Sequence, residues 1–199
     1  MKRVLVAVLV TGAVAIATGS TNLTPKAQNA LTTIDSVPTK EQITGAFEGT
    51  DQQALQNLSD IVTDPDPLAD TGIRLRAIHA LAKYCSASPC VDTDLAHQSV
   101  ASVLQTMRLA TTGSDVLLLR ASIETLGTMR VATDVTSLTP LLDHPSRDIR
   151  AATARALRDL CNTQAITPLR TRYSSELTDQ VKLAISEALR ILGQCSANQ

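Results

Sequence analysis

Four twelve-residue segments of the chain align without a gap: Ile73–Tyr84 (IRLRAIHALAKY), Leu118–Met129 (LLRASIETLGTM), Ile149–Leu160 (IRAATARALRDL) and Val181–Leu192 (VKLAISEALRIL). Their starts lie 45, 31 and 32 residues apart, and self-similarity at such periods signals a solenoid of stacked repeats. Counting each first residue as zero, position eight is Leu81, Leu126, Leu157 and Leu189, and position eleven is Tyr84, Met129, Leu160 and Leu192. Position zero is aliphatic throughout, and position seven is Ala80, Thr125, Ala156 and Ala188. Apolar residues three and four apart form one stripe along a helix. Small residues beside that stripe admit a neighbouring helix at close range. Each segment is therefore expected to be a helix buried on two sides, by a partner helix and by the next repeat. A compact bundle is the alternative, and the common frame of four segments favours stacking.

Partner helices are expected before these segments, at about Asp51–Val62, Asp94–Leu109, Asp134–Leu142 and Thr163–Tyr173. Turns at Asp64-Pro65-Asp66-Pro67 and His144-Pro145 separate partners, because Pro stops one helix while short polar side chains cap the next. Two partner helices carry an internal proline, in Leu138-Thr139-Pro140-Leu141 and Ile166-Thr167-Pro168-Leu169. Proline inside a helix costs ~3 kcal/mol, so its recurrence predicts a bend built into the repeat.

Leu138–Leu160, LTPLLDHPSRDIRAATARALRDL, resembles a HEAT repeat: a Pro-bent first helix, a turn with Asp, then Ile-Arg and an Ala-Leu pair on the second helix. Val181–Leu192 keeps the pattern with Lys182 in the Arg place, and Ile73–Tyr84 keeps both pairs. Leu118–Met129 departs most, with Leu119 for Arg and Thr125-Leu126 for Ala-Leu. The resemblance spans about Thr50–Gly193. It implies an all-α chain folded as a short right-handed α-solenoid of about four HEAT-like helix pairs. It also implies that the Arg after the aliphatic start supports stacking, with Arg150 paired to Asp143 or Asp148 and Arg74 to Asp70, or each to nearby carbonyls.

Lys2 and Arg3 precede an apolar run of 14 residues, Val4–Ala17, broken only by Thr11 and Gly12. With the small residues that follow, this is the form of a cleavable signal peptide over residues 1–19. The run is short of the ~20 residues a spanning helix needs, which leaves an N-terminal membrane anchor as the lesser alternative. Residues 20–45 are polar and Thr-rich with Pro25 and Pro38, and are expected to be a flexible tether ending in a short helix over Thr39–Phe47. Residues 46–199 are expected to be the repeat domain. The mature chain is then exported, periplasmic or extracellular, with no membrane insertion after signal cleavage.

Four cysteines in an exported chain read as two disulfides. Cys85 and Cys161 hold equivalent positions two repeats apart. At 8–10 Å per stacked helix that is ~20 Å, beyond the ~4.4–6.8 Å Cα spacing of a disulfide. Cys161 and Cys195 end adjacent second helices, and Cys85 and Cys90 close a short loop, CSASPC. The expected pairs are therefore Cys85–Cys90 and Cys161–Cys195. Neither a Cys-x-x-Cys motif nor a zinc-ligand pattern with His is present.

The chain has no Trp, one Phe and two Tyr, and its net charge of −1 becomes −3 without Lys2 and Arg3. This is no footprint for nucleic acid or an acidic membrane surface. His79, His97 and His144 are scattered. The His-Glu pairs of iron-binding HEAT enzymes are missing, as are the aromatics and basic groove of HEAT-like DNA glycosylases. A Gly-x-Ser-x-Gly elbow, a phosphate-binding loop and a Rossmann fingerprint are missing too. No catalytic, cofactor-binding or metal site is expected, and no small-molecule substrate.

The expected function is that of an exported scaffold presenting its second-helix face to another exported or envelope protein. The contact residues expected are Arg76, His79, Arg120, Glu124, Arg155 and Glu187, with Arg147–Arg158 as a local cationic patch. The alternatives are an accessory enzyme similar to the HEAT-like chromophore lyases and a structural subunit of an envelope assembly. Against the enzyme stands the lack of a free thiol nucleophile once both disulfides form.

Overall fold

The computed structural model describes residues 23–32, 38–64 and 70–197; the expected signal peptide lies outside them. Among the described residues there is no strand. The helices are α1 (Pro25–Thr32), α2 (Lys40–Ala46), α3 (Asp51–Thr63), α4 (Thr71–Leu81), α5 (Leu95–Met107), α6 (Gly113–Met129), α7 (Val135–Leu138), α8 (Arg147–Leu160), α9 (Ile166–Ser175) and α10 (Asp179–Ala197). None of them is long and apolar enough to cross a membrane.

The four aligned segments form α4, α6, α8 and α10, which pack side by side in that order. Partner helices back them: α3 on α4, α5 on α6, residues 135–143 on α8, and α9 on α10. The result is an all-α solenoid of two helix rows around one continuous core. Ile73, Leu118, Ile149 and Val181 at position zero are all buried, as are the residues at positions seven and eleven. At position eight Leu81, Leu126 and Leu157 are fully buried, whereas Leu189 is half-buried. The difference follows from stacking: among the described residues α10 has a second-helix neighbour, α8, on one side only.

Close approach replaces aromatic bulk in this core. A Cβ on Gly127 of α6 would stand 2.8 Å from the Cα and 3.0 Å from the Cβ of Ala156 on α8, so the backbones nearly touch. Buried hydroxyls fit the same tight space by bonding within their own helices. Ser122 Oγ donates to the Leu118 carbonyl at 2.9 Å and Thr153 Oγ1 to that of Ile149 at 2.8 Å.

Two sequence expectations about proline need correction. The segment expected to be a flexible tether carries a packed helix, α1, which buries Ala27 and Leu31 against α4, whereas the short helix expected over Thr39–Phe47 forms as α2, with Ile43 buried, and lies against α3. Pro25 is the first residue of α1, where the missing N–H costs nothing, and Thr24 Oγ1 accepts from the Ala27 N–H at 3.1 Å. Thr39 caps α2 through a reciprocal box with Gln42. The repeated internal proline also acts unequally. At Pro140 the partner helix turns into a 3-10 helix over Thr139–Asp143. Pro168 is the third residue of α9, inside the first turn, where no intrahelical bond is lost.

The repeat boundaries carry polar seams that the local sequence did not show. Arg150, 8% exposed, does not pair with Asp143 or Asp148; its guanidinium donates to both oxygens of Glu176, at 2.8 and 3.0 Å, and to the carbonyls of His144 and Pro145. Glu176, 2% exposed, also accepts from Arg172 and from the backbone of Leu177 and Thr178. Asp143 instead meets Arg172 at 3.1 Å. Arg74 does not meet Asp70 either: it donates to the Val62 carbonyl at 3.0 Å, while Asp70 caps α4 at the Ile73 N–H. One boundary earlier, buried His97 Nε2 lies 3.0 Å from both oxygens of buried Asp134, and its Nδ1 lies 3.2 Å from the Asp92 carbonyl. An acceptor at each nitrogen favours the doubly protonated ring, and the Asp134 carboxylate above all raises its pKa. His144 has the opposite pattern, with Nδ1 accepting from the Ser146 N–H and Nε2 donating to the Ala110 carbonyl; burial pushes its pKa down and keeps it neutral.

Gly127→Ala is expected to lower stability by about 1–3 kcal/mol in urea unfolding, although Ala exceeds Gly by about 1 kcal/mol in an open helix. A stabilised variant would mean that α6 and α8 move apart freely. Arg150→Ala is expected to cost about 3–5 kcal/mol, because it strands a buried carboxylate. Glu176 is held far below the usual carboxylate range, first by Arg150, with burial opposing. Its contribution is thus present above the unfolded value of about 4.3 and is lost as pH falls from there toward the folded value. Urea midpoints followed down to about pH 3 should decline less steeply for Glu176→Gln than for the parent; equal slopes would contradict the assignment.

Candidate protein-interaction face

Position six of the four second helices is His79, Glu124, Arg155 and Glu187. Positions seven and eight beside it are inward, so position six is turned to the open side of each helix, one residue per repeat. His79, Arg155 and Glu187 are exposed and Glu124 is half-buried; Arg76 is half-buried and Arg120 exposed. The six sequence candidates therefore lie along one row of helices. They do not converge on a single point. Arg120 Nε donates to Glu124 within α6 at 2.8 Å, and Arg158 bridges from α8 to Glu187 of α10 at 3.2 Å. His79 Nδ1 lies 3.1 Å from Thr125 Oγ1, which ties α4 to α6.

A groove opens at the N-terminal end of this row. Arg76 and His79 meet Lys83 around this groove of about 270 Å³ whose floor is Leu31 of α1, Ile43 of α2 and Ala80 of α4. The residues of α4 recur here at intervals of three and four, the spacing of one helix side. Lys83 is the member that sequence reasoning missed; its signal is the four-residue step from His79. Crowding by neighbouring atoms disfavours the charged His79 ring, Glu124 opposes this, and Arg120 and Arg76 add to it, so the pKa lies below its ordinary value.

Charge on this face is not evenly satisfied. Glu124 is bonded to Arg120, and Asp159 and Glu187 to Arg158. Among the described residues no carboxylate pairs with Arg76, Lys83 or Arg155. The unengaged charge is therefore positive, although the whole chain carries −1. Charge pairing and apolar contact are the chemistry this arrangement offers.

Both cysteine pairs lie away from these candidates. Cys85 and Cys90 are disulfide-linked with a Cα spacing of 5.1 Å, and Cys161 and Cys195 with one of 5.8 Å, the pairing expected from repeat position. Asp94 stands beside the first pair, one of its oxygens and the two sulfurs within 4.8 Å of one another. That carboxylate already accepts from Ser86 N, Ser86 Oγ and Val91 N, which fastens the loop at the start of α5.

Residues 103–190 match the family model described as HEAT repeats. No curated protein and no solved structure matches the chain significantly.

Because the charges at position six sit in water, Arg155→Glu and Glu187→Lys are each expected to change stability by less than about 1 kcal/mol. Thermal unfolding of both variants checks this. A larger loss would assign these side chains to stacking rather than to an open face.

Proposed function

We propose that the second-helix face of this chain, which carries HEAT repeats over residues 103–190, is the binding platform for another exported or envelope protein. HEAT repeats generally serve as protein-interaction scaffolds. The observation that carries the assignment to this face is its unengaged positive charge, with Arg76 on α4, Lys83 in the turn that follows it and Arg155 on α8, beside an apolar-floored groove. Charges left without partners attract a complementary surface and set its orientation. The scarcity of exposed aromatic side chains points to an interface built from many modest contacts rather than a few dominant ones. Export is supported by the basic start and apolar run of residues 2–17 and by two disulfide pairs, which persist in oxidising compartments. The binding role proposed is non-catalytic.

The test is affinity capture of the tagged full chain from its own host, with mass spectrometry of what is retained. One saturable partner is expected, lost with Arg76→Glu/Arg120→Glu and kept with Arg170→Glu on the opposite row. Equal capture by all three proteins, or recovery of the chain alone, would overturn the assignment.

A further inference from the structure

We propose that the groove between the α1–α2 pair and α4 receives an extended acidic segment of a partner protein, seating one apolar side chain on Leu31, Ile43 and Ala80 and pairing its carboxylates with Arg76 and Lys83. This rests on the second-helix face being a protein-binding surface and specifies what that surface recognises. The floor is apolar, lined by Leu31, Pro38, Ile43 and Ala80. The rim is cationic or neutral, with Arg76, His79 and Lys83, and no carboxylate lines the groove among the described residues. Arg76 is half-buried and Lys83 exposed; such side chains lay their methylene stems along apolar walls and hold their charged ends at the mouth. An incoming carboxylate would meet the partly desolvated Arg76, where a charge-assisted bond is stronger than in open water, and the exposed Lys83 beside it.

Size and setting favour a side-chain anchor over a free small molecule. The groove, at about 270 Å³, is below the ~300–1,000 Å³ typical of small-ligand pockets. It also opens onto a row that continues to Arg120 and Arg155 in the next two repeats, the geometry along which solenoids hold extended chains. The ligand class is therefore an apolar residue flanked by Asp or Glu, in an extended stretch several residues long.

The experiment is selection of random twelve-residue peptides on the oxidised full chain, followed by fluorescence anisotropy with the enriched sequences. Enrichment of acidic peptides with a central apolar residue is expected. Arg76→Glu/Lys83→Glu should weaken their binding at least tenfold, Lys83→Gln by a smaller factor, and Arg170→Glu not at all, with unfolding midpoints showing that each variant is folded. Peptides without acidic residues, or equal affinity for the charge-reversed variant, would overturn the proposal. So would an empty selection accompanied by saturable binding of dodecanoate, which would assign the groove to an aliphatic acid. If the natural partner is lost on reversal of Arg120 and Arg155 but kept on reversal of Arg76 and Lys83, the groove assignment fails while the binding face stands.

Discussion

A second helix in this chain has two apolar sides, and its own partner covers one of them. The other is buried only when the next repeat arrives, so no helix pair is stable by itself and the core exists as a series of contacts between neighbours. The composition suits this constraint. Gly127 and Ala156 bring α6 and α8 almost to backbone contact, and dispersion across such short gaps substitutes for the bulk that Trp and Phe would supply. The α1–α2 pair extends the principle to the N-terminal side, burying Ala27, Leu31 and Ile43 where α4 would otherwise be bare.

Apolar contacts between similar helices do not by themselves distinguish one neighbour from another. The polar seams differ from boundary to boundary. Ser59 and Ser99 share a hydrogen bond of 2.7 Å between α3 and α5, and His97 with Asp134 joins the next pair of partners. The Arg150–Glu176 pair closes the last boundary. Each seam is satisfied by one neighbour only, since a buried charge or hydroxyl without its partner is costly. Register along the stack is thereby fixed by chemistry that the repeating positions lack. Binding chemistry occupies what is left, the side of the second helices where no neighbour sits.

How much of this was legible in the sequence depended on distance. Positions zero, seven, eight and eleven fix which side of each helix is buried, because periodicity is a local property. The disulfides followed as soon as repeat position was known. The partner of Arg150 was not legible, because Glu176 is 26 residues away in the following unit, and nearer Asp143 and Asp148 offered plausible but incorrect alternatives. Pro25 and Pro38 misled for a different reason: proline ends helices and also begins them, and Ala27 and Leu31 show their burial only against α4. Of the candidate face, position six was readable from the frame. The groove was not, since its floor comes partly from α1, in a segment that the sequence had suggested was a tether.

The bond between Cys161 and Cys195 turns the last repeat into a covalent ring, with α9 and most of α10 inside it. The α1–α2 pair at the other end is held by non-covalent contacts and by surface ion pairs such as Lys26 with Glu48. A linear stack comes apart from its ends, and here the two ends are unequal. Unravelling under heat or tension is therefore directional: it starts at the cap and runs toward the ring, which leaves the last two helices tethered to each other even when the rest has opened. The groove, placed at the seam of that cap, is then the first feature lost, and a partner seated across it would act as a clasp on the weaker end.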